Sequence, residues 1–246
     1  MLKATLKTLL ERLPWLYLSL LKLKRTGHWS QRWIVSPETG ITIEGFPRSG
    51  NSFARSAFMA AQPAKVRIAT HVHSAAQVRH SVHLGIPTMV LLRHPADACL
   101  SLVALDYEIS GKRPEEISTT EATATLIENL AAYDRFYRDT LKVYESVVIG
   151  DFSIVTSDYG RIIRRINHKC GTQFIPYTNS SENDEKLFDK GGFHLSPNEN
   201  RDAIKSAIRS ILESAAVRPA LEQAEQTYQA IQKRERAQQP QSTESQ

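Results

Sequence analysis

The 246-residue sequence predicts an α/β fold, with three α/β/α layers built on a mainly parallel central sheet. Three observations predict it. Short apolar or alternating runs recur at Ile41-Thr42-Ile43-Glu44, Pro87 to Leu92 and Val147-Val148-Ile149, separated by longer segments of helical period. The run Pro87-Thr88-Met89-Val90-Leu91-Leu92 is almost continuously apolar, the pattern of a parallel strand buried on both faces. A glycine-bounded turn, Gly45 to Gly50, joins the first strand to a helix. With 41% apolar residues the chain can bury one core, and one domain suffices.

Taken in order, residues 1–36 form an N-terminal amphipathic basic segment, 37–236 the α/β domain and 237–246 a polar, Gln-rich tail expected to be disordered. Leu2 to Lys24 mixes leucines with Lys3, Lys7, Glu11, Arg12, Lys22 and Lys24. Its longest uncharged run, Leu13 to Leu21, is far short of the roughly 20 residues that span a bilayer. Glu11, Arg12 and Pro14 also interrupt any signal-peptide centre. A helix carrying Trp15 and Tyr17 either packs its leucines on the domain or lies on a membrane surface.

The turn Gly45-Phe46-Pro47-Arg48-Ser49-Gly50-Asn51-Ser52 keeps the G-x-x-x-x-G spacing and final hydroxyl of a phosphate loop, with Asn51 in place of its lysine. Such a loop works when the helix after it, here Phe53 to Ala61, aims its first N–H groups and positive dipole end at an anion. The dipole contributes only about 0.3–1 kcal/mol per charge, so further cations are needed. Arg48 is the nearest.

Ile68-Ala69-Thr70-His71-Val72-His73 alternates like a strand that would place His71 and His73 on one face. His71-x-His73 and His80-x-x-His83 supply four imidazoles, but no carboxylate or cysteine pattern accompanies them and no metal site is predicted. After the Pro87–Leu92 strand comes Arg93-His94-Pro95-Ala96-Asp97-Ala98-Cys99-Leu100-Ser101. Pro95 suits the first turn of a helix, Arg93 offers forked donors to a phosphate and Ser101 adds a hydroxyl. Phosphate-loop NTPases often end this strand in a magnesium-holding aspartate; here it ends in arginine.

Asp106 to Pro114 reads as a loop bordering the site. Ser118-Thr119-Thr120-Glu121 has capping-box spacing before a helix from Ala122 to Val143 with a packed stripe at Leu126, Leu130, Tyr133 and Tyr137. Tyr159 to Lys169 is a helix with Ile162, Ile163 and Ile166 inward, Asn179 to Asp184 a polar loop, and 200–215 and 217–236 two helices. The net charge of +5 suits a multiply charged anion, and no nucleic-acid-binding signature is present. Cys99 and Cys170 make no disulfide framework, so a reducing, cytoplasmic compartment is the default.

Pro47-Arg48-Ser49-Gly50-Asn51-Ser52-Phe53 resembles the 5′-phosphosulfate loop of sulfotransferases, Pro-Lys-Ser-Gly-Thr-[Thr/Ser]-aromatic. Arg93 and Ser101, eight residues apart, resemble the family's 3′-phosphate motif. Thr70-His71, 22 residues before Arg93, resembles its catalytic Lys-Thr-His stretch, with Ala69 where the lysine stands. Phe188-Asp189-Lys190-Gly191-Gly192 is a loose match to its C-terminal Arg-Lys-Gly loop. The likeness is specific over residues 41–105 and extends in organisation to about residue 200.

This resemblance implies a sulfotransferase using 3′-phosphoadenosine 5′-phosphosulfate as cosubstrate and no metal. His71 would be the general base and Arg48 would stabilise the leaving phosphate oxygen. The 5′ end would rest on backbone N–H groups from Ser49, Gly50, Asn51, Ser52 and Phe53 and on the Ser52 hydroxyl. The Phe53 ring would stack on adenine, while Arg93, Ser101, Lys190 and Gly191 would hold the 3′-phosphate. The acceptor would be a small molecule, lipid or carbohydrate with a hydroxyl or amine, with peripheral membrane contact through residues 2–24. Two alternatives stay open: a small-molecule or nucleoside kinase with a degenerate phosphate loop, and a non-catalytic membrane-associated nucleotide-binding protein, which Ala69 favours.

Overall fold

Four parallel strands form the centre of the protein, which is described by a computed structural model over residues 10–24, 33–191 and 199–238. β1 (Ile41–Gly45), β2 (Ile68–Ala69), β3 (Thr88–Leu92) and β4 (Val148–Asp151) lie in the order β2-β1-β3-β4. Ile43 sits opposite Met89 and Val90 opposite Ile149. Every residue of β1 and β3 is buried, which is why neither needs a polar face.

Successive residues of β3 divide the core. Met89 and Leu91 join Ile41, Ile43 and the apolar faces of α2 (Asn51–Ala61) and α7 (Tyr159–Cys170). Val90 and Leu92 join a second cluster with α3 (Ala75–His83), α4 (Pro95–Ile109), α5 (Thr119–Thr140), α9 (Glu199–Leu212) and α10 (Arg218–Gln238). Alternation of period two in the strand thus produces helices on both faces, the three-layer fold. On the second face Ile204, Ile208 and Leu212 form one buried stripe of α9, spaced by four. Short α6 (Phe152–Ser157) follows β4 directly.

α1 (Pro14–Lys24) packs on α3, and its Leu18 is buried with Ile34, Val35, Ala69, Val72 and Ile86. Its outer side leaves Trp15, Leu20 and Leu23 exposed, as is Leu13 just before it. Among the described residues no helix is long and apolar enough to cross a membrane. The tail 239–246 lies outside the described residues.

Three sequence expectations are corrected. The strand expected over Ile68–His73 stops at Ala69, because the Thr70 N–H donates to Trp33 O and the chain leaves the sheet. α4 runs on to Ile109, so the loop expected from Asp106 begins at Ser110. The polar loop expected over Asn179–Asp184 becomes α8 (Ser181–Gly191). Ser180 accepts the N–H of Asn183, Glu182 and Asp184 occupy the positive first turn, and Leu187 anchors the helix in the core.

Candidate functional site

The chain connects β1 to β2 on one side and β3 towards β4 on the other, so a crevice opens at the carboxyl ends of β1 and β3. The loop after β1 enters it. Gly45 is required there, since a Cβ would stand 2.8 Å from Leu91 O. Gly50 caps α2 with φ of 89°, a left-handed conformation that glycine adopts freely. The helix leaves the N–H groups of Asn51 and Ser52 without intrahelical acceptors, and Ala54 bonds back to Gly50 O.

Two strand ends bring their arginines together. Arg93 Nη1 donates to Arg48 O at 2.8 Å, and Arg48 Nε donates to Ser101 Oγ at 3.0 Å. The Arg93 guanidinium lies 4.2 Å from the centre of the Phe152 ring, and Tyr133 donates its hydroxyl to Arg93 O at 2.7 Å. Burial pulls both guanidiniums below their usual pKa, and for Arg48 the charges of Arg201 and Arg93 add to it. Among the described residues no carboxylate lies within ion-pair distance of Arg93, and Asp97, further off, only partly opposes the effect of burial. Such crowding favours an anion.

α9 supplies cations that the sequence reading missed. Arg201, Lys205 and Arg209 repeat every four residues, one basic stripe beside the buried Ile204–Ile208–Leu212 stripe, and that spacing was the available signal. Arg201 is buried and paired with buried Glu108 at 2.6 Å, while Lys205 pairs with exposed Asp202 at 2.8 Å. Arg93, Asp97, Leu100, Asp202, Lys205, Ser206 and Arg209 line a cleft of about 330 Å³.

On the other side of the loop stands His71. Its Nε2 is 3.1 Å from Ser52 Oγ and its Nδ1 2.9 Å from Thr70 Oγ1, so two hydroxyls fix the ring. Trp33 lies against it at a centroid distance of 5.0 Å. Burial, then His73 and Arg55, lower its pKa to about 4, which keeps the imidazole neutral near pH 7. The non-glycine residues with left-handed backbone among those described are Arg48 (φ 67°), His71 (φ 54°) and His73 (φ 53°). Each costs about 1 kcal/mol or more and persists only when its surroundings over-determine it.

Glu44, unremarked in the sequence, does this for the histidines. Fully buried in β1, it accepts from Val72 N at 2.8 Å, His73 N at 3.1 Å and Gln77 Nε2 at 2.8 Å. Burial raises its carboxyl above the usual range, opposed by His73 and these donors. His73 in turn sets Nδ1 2.8 Å from Gly45 O, tying the segment back to the loop.

Gly50, Asn51, Ser52, Arg48, Arg93, Ser101 and His71 therefore meet at one crevice, but several expected roles change. The Ser49 N–H bonds Phe46 O and its hydroxyl faces Tyr137 at 3.4 Å, so neither is free for a ligand. The Asn51 side chain donates to Phe46 O at 3.0 Å and braces the loop from within, leaving only its backbone N–H for an anion. The Phe53 ring is buried against Tyr159 and Tyr177 and cannot stack on adenine. Lys190 and Gly191 close helix α8 rather than a Gly-Gly loop, because Leu187 draws that segment into the core beside Phe53; the Lys190 side chain and residues 192–198 lie outside the described residues. His71 and His73 share no strand face, and their rings meet edge-on at 5.6 Å.

Compared with protein-family models, curated proteins and solved structures, the chain matches none of them.

Proposed function

We propose that the chain is a sulfotransferase that moves a sulfuryl group from 3′-phosphoadenosine 5′-phosphosulfate to an acceptor hydroxyl or amine. The observation that carries this reading is the pairing of a neutral histidine at the loop with two crowded arginines at the β1–β3 crevice. His71 Nε2 sits 3.1 Å from the Ser52 hydroxyl that opens α2, and Arg93 reaches the backbone of Arg48 at 2.8 Å.

In this mechanism the α2 N-terminus and Ser52 hold the 5′-phosphosulfate, and the Ser52 hydroxyl turns from His71 to the ligand. His71 Nε2 then accepts the acceptor proton as the acceptor oxygen forms its bond to sulfur. The bond from sulfur to the 5′-phosphate oxygen breaks, and Arg48 stabilises the charge left on that oxygen. Arg93, Ser101 and the α9 cations hold the 3′-phosphate, so Lys205 and Arg209 take the place expected of Lys190.

The non-catalytic reading keeps one observation in its favour. Ala69 is fully buried in β2, opposite Thr42, where the family's lysine would have no room. Release of 3′-phosphoadenosine 5′-phosphate from the cosubstrate decides between them, measured with phenol, sterol and monosaccharide acceptors. Acceptor-dependent release that falls by about 100-fold to 10,000-fold in His71→Ala supports transfer. Nucleotide binding without turnover supports the non-catalytic protein, and magnesium-dependent ADP release from ATP supports the kinase.

A further inference from the structure

A second cavity, of about 480 Å³, opens on the β2 edge and is lined by Trp33, Arg55, Met59, Lys65, Val66, Arg67 and Ile68. Its position follows from helix spacing. Ser52, Arg55 and Met59 fall on one line of α2, so the cavity begins one turn beyond the hydroxyl that touches His71. Trp33 forms a shared wall, its ring 5.0 Å from the His71 ring.

The lining combines an apolar body with one sign of charge. Met59, Val66, Ile68 and the Trp33 ring supply the apolar part, and Arg55, Lys65 and Arg67 the cations. Arg67 pairs with Glu38 at 3.3 Å on the surface. Neither Arg55 nor Lys65 has a carboxylate within ion-pair distance among the described residues, and Arg55 is half-buried. Half-burying an unpaired guanidinium beside an apolar wall is unfavourable until an anion arrives. Flat apolar walls of this kind take ring compounds, and convergent cations orient them.

We infer that this cavity is the acceptor site and that its acceptor is a hydroxylated ring compound bearing an acidic group, such as a hexuronate. The ring lies along Trp33, the carboxylate meets Arg55 and Lys65, and a ring hydroxyl points to His71 Nε2. The inference rests on the sulfotransferase reading for the word acceptor, but the binding itself can be measured alone.

Two probes that differ only in the acid, 4-nitrophenyl β-D-glucuronide and 4-nitrophenyl β-D-glucoside, are titrated into the full chain while tryptophan fluorescence is followed. Trp33→Phe separates the signal of Trp33 from those of Trp15 and Trp29. The glucuronide is expected to bind about tenfold tighter than the glucoside, and Arg55→Ala with Lys65→Ala to remove that difference. Lys65→Glu alone, a surface change, is expected to weaken the glucuronide and leave thermal unfolding unchanged. Equal affinity for the two probes, no binding of the glucuronide, or a difference that survives both substitutions overturns the inference. Binding of 3′-phosphoadenosine 5′-phosphate is measured in parallel on the same proteins. Its absence from all of them counts against the sulfotransferase reading, and its presence alongside equal probe affinities counts against the acidic acceptor alone.

Discussion

The loop Gly45–Ser52 and the segment Thr70–Ser74 face one another across the crevice, yet they are built in opposite ways. The loop's frame is local, although Arg93, Ser101 and His73 reach it from other elements: a strand delivers it, Gly50 turns it, Asn51 braces it to Phe46 and the next helix opens at once. The histidine segment is remote. Thr70 is held by Trp33 O, Val72 and His73 by Glu44, and the chain regains a helix only where Ser74 Oγ accepts the Ala76 N–H at 3.2 Å. A candidate anion site can thus be written as a spacing, whereas a candidate base needs partners brought in by the fold.

The largest break in this comparison is Glu44→Ala. It strands the Val72 and His73 N–H groups and the Gln77 amide in the core, and we expect a loss of about 3–5 kcal/mol in urea unfolding. The proposed transfer activity should vanish with it, while the proposed nucleotide binding at 10 °C, where the variant remains folded, should persist, because Glu44 reaches the loop only at Gly45 and the braces further along, from Ser49 N and Asn51 to Phe46 O, do not involve it. Gly50→Ala is the converse. A Cβ at φ of 89°, 3.3 Å from Phe152, is expected to cost about 1–2 kcal/mol and to weaken nucleotide binding through the ring that carries Arg93. His71 itself should stay where it is.

A smaller effect tests the electrostatics. The folded pKa of His71, about 4, lies below the ordinary value of 6.5, so the unfolded chain takes up a proton that the native state refuses. The stability due to the neutral ring is complete above pH 6.5 and declines as the pH falls from 6.5 towards 4. Burial, then the facing charges of His73 and Arg55, hold the ring neutral; Ser52, Thr70 and Trp33 complete its surroundings. An NMR titration of the His71 ring should therefore turn near pH 4, and a midpoint near 6.5 would mean a solvated imidazole.

The same local-versus-remote division explains what the sequence revealed. β1, β3 and β4 were plain from apolar runs, and Ser118 caps α5 as its spacing foretold, accepting from Glu121 N at 3.4 Å. Arg48, Arg93 and Ser101 lie together at the crevice because their offsets within strand-loop-helix units fix their places. Glu44 was not legible, since an acidic residue ending a short strand looks like an exposed one until Gln77 and the 72–73 backbone are folded over it. The Phe53 ring reads equally as a stacking platform or core, and only the packing of Tyr159 and Tyr177 decides for the core. α8 was missed because Ser181 to Lys186 are all polar and its large apolar residues, Leu187 and Phe188, come only in the second half of the helix.

The central claim is that the β1–β3 crevice holds a nucleotide by arginines rather than by a lysine and magnesium. Calorimetric titration of 3′-phosphoadenosine 5′-phosphate without magnesium tests it most directly, with ATP as competitor and with Arg93→Ala shown by its melting curve to be folded. The account predicts tight binding that ATP displaces poorly and that Arg93→Ala weakens about 10-fold to 100-fold. No binding, preference for magnesium-ATP, or an Arg93→Ala variant that binds as well as the unmodified protein would contradict it.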